Sequence, residues 1–146
     1  MHDVGSTGPI VVGIDGSPQA RAALEWAIDE ARLKKAELHI VVGWRLPNML
    51  GWPVPLPTDF DPVGPAQAVV DETVKFINDN HADVVVRSHV EEGPAARSLI
   101  RKAQEVGASL LVVGARGHGE VAGMLIGSVS EYVATHAHCP VVIVRH

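Results

Sequence analysis

The sequence predicts an α/β protein built on an open parallel sheet with helices on both faces. Two observations carry this. Short runs of β-branched and leucine residues recur along the chain, apolar at consecutive positions. Strands of that kind are buried on both sides. Between them lie longer segments whose apolar residues return at helical spacing, and helices joined to the strands by right-handed crossovers cover the sheet. A length of 146 residues suits one such domain, with no internal repeat and no second domain.

The first residues, Met-His-Asp-Val-Gly-Ser-Thr-Gly, are short and polar. They lack the basic and apolar regions of a signal peptide. A flexible tail over 1–8 and a single domain over 9–146 are expected. Ile10-Val-Val-Gly-Ile14 is the first strand. In Asp15-Gly-Ser17-Pro18, Ser17 suits a helix N-cap and Pro18 the first helical position. Ala20, Ala23, Leu24, Ala27, Ile28 and Ala31 then form one apolar helical face. Leu38–Val42 is the second strand. Residues 45–65 hold six of the ten prolines and read as a long surface loop.

Ala66, Val69, Val70, Thr73, Phe76 and Ile77 define a second helix. A third strand starts at Val84–Val86 and alternates at Arg87-Ser-His89-Val90, as an edge strand does. Ala96, Leu99, Ile100, Ala103 and Val106 mark a third helix, closed by Gly107. Leu110–Val113 and Val141–Val144 are the fourth and fifth strands. The fourth helix begins within Gly127-Ser128-Val129-Ser130-Glu131, where Ser128 and Glu131 fit a capping box.

Composition narrows the function. Net charge is -5 and no Lys/Arg cluster occurs, which argues against a nucleic-acid partner held through phosphates. No apolar stretch approaches the roughly 20 residues of a membrane span. The single cysteine, Cys139, cannot form an internal disulfide, which suits a reducing compartment, and a cytoplasmic location is expected. Cys139 reads as a small buried apolar residue. His136-Ala-His138-Cys139 fits no common zinc spacing. No Walker A motif and no Ser/His/Asp constellation can be assigned, so no catalytic residue is named.

One segment points to a ligand. After the strand at Leu111-Val-Val, five glycines fall within 14 residues, from Gly114 to Gly127, and the segment ends on a fresh helix. Small residues let backbone N–H groups approach an anion, and a helix N-terminus adds positive potential. The amides of Gly127, Ser128 and Val129 are expected to face the loop, with Arg116 and His118 available to add charge. In a parallel sheet, ligands sit beyond the carboxyl ends of the strands where strand order reverses. Asp15 ends the first strand. It faces this loop if the first and fourth strands are neighbours. An acid there either meets a ribose or a phosphate-bound metal, or starts the next turn.

The spacing Gly114-x2-Gly117-x9-Gly127-Ser128 resembles the nucleotide-binding motif of the universal stress protein family. So do Val11-Val-Gly-Ile-Asp15-Gly-Ser and Cys139-Pro-Val-Val-Ile-Val-Arg. The resemblance implies a Rossmann-like five-stranded sheet of order 3-2-1-4-5. It implies binding of ATP with Mg2+, in a regulatory protein of the stress response. Asp15 would lie near the metal, and the backbone of Val41 or Val42 would meet adenine. Gly114 and Gly117 would line ribose and phosphates, and Gly127, Ser128 and Val129 would hold the phosphates. Cyclic AMP is an alternative ligand. Slow ATP hydrolysis or phosphotransfer and a non-binding interaction module are the alternative functions. The family also implies a homodimer through the fifth strand. The unguarded β-branched run Val141–Val144 supports it independently.

Overall fold

The structure is a computed structural model and describes residues 8–44, 48–49, 52–53, 55–116 and 126–145. Strand β1 (Ile10–Gly13) leads to helix α1 (Pro18–Lys34) and β2 (Leu38–Trp44). A short hairpin, β3 (Asn48–Met49) and β4 (Trp52–Pro53), precedes α2 (Gly64–Asn80). Then come β5 (Val86–Glu92), α3 (Ala95–Val106), β6 (Leu110–Gly114), α4 (Ser128–His136) and β7 (Val141–Val144). The main sheet runs β5-β2-β1-β6-β7 and all its pairings are parallel. Without the hairpin this is the order 3-2-1-4-5.

Consecutive residues of each central strand serve opposite faces. Ile10, Val12, Leu38, Ile40 and Val112 pack with Ala23, Leu24, Ala27, Ile28, Val70 and Ile77 of α1 and α2. Val11, Val41, Leu111 and Val113 pack with Leu99, Ala103 and Val133 of α3 and α4. The doubly apolar strands are thus explained by two cores, one on each side of the sheet.

Local signals set several boundaries. The Ser17 hydroxyl accepts from Ala20 N–H at 3.1 Å, with Pro18 at the first helical position. Gly107 closes α3 at φ 65°, its N–H turned to Ala103 and Gln104 carbonyls. Helix α1 closes the same way without glycine: Lys35 sits at φ 54°, and Ala36 N–H reaches Ala31 O at 2.9 Å.

Other boundaries moved. β5 starts at Val86 and not at Val84, because Val84 N–H turns back to His81 O at 3.0 Å. It runs on to Glu92, since a half-exposed edge accommodates acids. Part of the 45–65 loop forms the β3–β4 hairpin, with Met49 level with Trp52, and α2 starts inside the loop's last residues. The Ser128–Glu131 capping box does not form as read. Gly127 is the N-cap, extended at φ -81° and ψ 174°, and Ser128 is already helical. Residues 1–7 of the expected tail lie outside the described residues. Gly8 is tied down, its carbonyl accepting from the Ser109 hydroxyl at 2.7 Å.

Candidate functional site

Because β1 lies between β2 and β6, chain direction away from the sheet reverses beside it. A cleft open to solvent forms there on the α3/α4 side. Asp15, Val41, Gly114, Arg116, Gly127 and Val129 line it. These six positions were named from sequence, and the fold gathers them from four separate segments. Asp15 and Arg116 are the charged residues among the described lining.

The Asp15 carboxylate also accepts from Ser17 N–H at 2.8 Å. The turn-forming reading of this acid therefore holds alongside its place in the cleft. Val42 contributes no side chain here, because strand alternation turns it into the core beneath α1 and α2. Ser128 is exposed at the start of α4 and is not among the lining residues. Gly117 and His118 lie outside the described residues.

One expectation needs correction. The Gly127 N–H was expected to face a ligand. It instead donates to Ala115 O at 2.6 Å, and the Gly127 carbonyl accepts from Glu131 N–H at 3.0 Å. The buried Ser130 hydroxyl shares its proton between Ala115 O at 2.9 Å and Gly127 O at 3.1 Å. This knot fixes the angle at which α4 enters the cleft. The Val129 and Ser130 amides, in the first helical turn, have no acceptor within the helix. Both residues line the cleft.

Sequence reading missed the apolar floor. Ala95 and Leu99, one turn apart on α3, and Gly43 near the end of β2 also line the cleft. Gly43 is small because a side chain there would meet the Gly93 carbonyl at 3.1 Å and Ala95 Cα at 3.2 Å. A glycine straight after Val41-Val42 was the available signal. Ser130 was missed because Ser128 fitted the capping pattern better.

The arrangement offers an apolar floor that includes Val41 and Leu99, and helix-end amides at the head of α4. Among the described residues no group of three or more His, Cys, Asp or Glu gathers to hold a metal. One carboxylate fits a Mg2+ ion only when phosphate oxygens supply further ligands. No helix of the described residues is long and apolar enough to cross a membrane.

A parallel sheet with helices on both faces and a small-residue cleft at its switch point defines an open, doubly wound α/β domain. The universal stress protein family model matches residues 7–145, and the chain belongs to that family. It is 34% identical over 138 residues to universal stress protein Rv2623 of Mycobacterium tuberculosis, covering 94% of this chain and 45% of that protein. The chain thus spans just under half the length of this relative. A universal stress protein solved in complex with cAMP matches at 28% identity and a TM-score of 0.71, covering 96% of this chain and 98% of the other. The universal stress protein from Archaeoglobus fulgidus in complex with dAMP matches at 23% identity and a TM-score of 0.69, over 93% and 96% of the two chains. That likeness speaks to the fold.

Proposed function

We propose that the cleft binds an adenine nucleotide, ATP with Mg2+ in the first instance, and that the protein acts as a nucleotide-responsive regulator in stress adaptation. The observation that carries this is the convergence of Asp15, Val41, Gly114, Arg116 and the head of α4 on one cleft. The base would lie against Val41 and Leu99. The phosphates would take the Val129 and Ser130 amides, with the Arg116 guanidinium beside them. Charge-assisted hydrogen bonds contribute about 1.5–3 kcal/mol each. The helix end adds about 0.3–1 kcal/mol. Asp15 would hold the Mg2+ carried by the phosphates. The stress role rests on family membership. Since one family member is described in complex with cAMP, cyclic AMP is the competing ligand.

Two tests separate the readings. The supernatant of heat-denatured protein is expected to hold adenine nucleotide, and calorimetry with ATP to show micromolar affinity. No nucleotide and no heat would leave an interaction module. Asp15→Ala is expected to weaken ATP about tenfold with Mg2+ present, which is about 1.4 kcal/mol, and less without it. Equal losses in both conditions would remove the metal role.

We also propose a homodimer through β7. Its four residues are only half-buried and form one edge of the sheet. A row of unpaired edge groups is a template for another chain.

A further inference from the structure

Strands β2 and β5 bring two histidines together beneath α3. His39 is only 7% exposed. Its Nδ1 lies 2.8 Å from Nε2 of the half-buried His89, and the rings are within 5° of parallel. On the other side, His39 Nε2 meets Glu37 Oε1 at 3.3 Å. A carboxylate accepts, so the hydrogen sits on His39 Nε2. In a neutral ring Nδ1 then accepts from the His89 Nε2–H.

This chain tolerates one added proton, since either ring can still donate across the gap. It does not tolerate two, because both facing nitrogens would then carry hydrogens. The charged groups around the pair come from two elements, β5 and α3, and the turn before β2. Glu37 precedes β2 and is paired with Arg87 of β5 at 3.6 Å. Glu91 also lies on β5. From α3 come Lys102, at 3.5 Å from Glu91 and 2.8 Å from Glu105, and Arg101, at 3.7 Å from Glu91. Burial pushes the His89 pKa down, with Lys102 and His39 adding to the effect and Glu91 and Glu105 opposing it.

The pair is next to the cleft. Val41, level with His89 in the β2–β5 ladder, lines it, as does Leu99 of α3. We propose that His39 and His89 form a proton-sensitive latch: a second proton parts the rings, loosens β5 and α3 against β2, and weakens adenine-nucleotide binding in acid. The ligand half of this rests on the nucleotide reading above.

The sign follows from linkage. With the folded His89 value below the ordinary 6.5, the unfolded chain takes the proton first. The stabilisation is complete above about pH 6.5 and is lost as pH falls from there through the lowered folded value.

The test follows the His39 and His89 ring resonances and the Val41, Ala95 and Leu99 amides of the full chain by NMR. No nucleotide is added, and pH runs from about 8 to 5, the range in which histidine charge changes. Urea unfolding and ATP calorimetry run in parallel on the wild type and His89→Gln. The cleft amides are expected to move with the His89 midpoint. The wild type should lose more stability in acid than the variant. Its ATP affinity should fall about fivefold across that range, the low end of ordinary site–site coupling, while the variant's holds steady. Cleft amides that ignore His89, or equal acid losses in both proteins, overturn the latch and leave the nucleotide reading standing. Amides that follow His89 with no ATP heat at any pH support the latch and overturn the nucleotide reading. Should His89→Gln fail to fold, the wild-type amide titration decides alone.

Discussion

Gly13 and Gly114 end neighbouring strands, yet a methyl group at each would meet a different kind of obstacle. At Gly114 it would lie 2.8 Å from Gln19 O and 2.9 Å from its carbonyl carbon. That is helix backbone, which cannot swing aside. At Gly13 it would lie 2.8 Å from Leu99 Cδ1, the free end of a side chain. Gly114→Ala is therefore expected to cost about 1–3 kcal/mol by overpacking, and Gly13→Ala less. Urea unfolding of the two variants measures the difference, and equal midpoints would mean that α1 yields as easily as a leucine. Gly13→Ala should still weaken nucleotide, because Leu99 must move within the cleft. The glycines were legible as a loop of small residues. Their contacts with Gln19 and Leu99 were not, since these join residues far apart in the sequence.

At the scale of elements, α1 and α3 end in the same left-handed turn with different residues. Gly107 announced the end of α3. Nothing in Arg-Leu-Lys-Lys35 announced the end of α1, where a lysine carries φ 54°. A side chain in that conformation costs roughly 1–2 kcal/mol. Lys35→Gly is accordingly expected to raise stability by about 0.5–1 kcal/mol, net of the entropy glycine adds to the unfolded chain. Thermal unfolding checks it, and a lower melting temperature would show that the Lys35 side chain contributes more than its backbone costs. The main strands and the four helices of the described residues were legible because hydrophobic period and turn residues agreed. The head of α4 was misread by one residue, because its hydrogen bonds run to Ala115 across the loop and not to a local capping partner. The β3–β4 hairpin was hidden by prolines that otherwise mark irregular loop.

For the whole molecule, the half-buried edge strand β7 is the feature with the largest consequence for assembly. Sedimentation at micromolar concentration is expected to give twice the 15.5 kDa mass of one chain. Ile143→Lys, which places a charge on the unguarded edge, is expected to return the protein to one chain while the helical signal persists. A wild type that sediments as a single chain would remove the dimer. A second property follows from the knot at Gly127. The Ala115–Gly127 hydrogen bond and the Ser130 hydroxyl clasp both feet of the intervening segment. The seat of α4 against the end of β6 is therefore pinned by Ala115, Gly127 and Ser130 themselves, so the helix keeps its heading from within the scaffold.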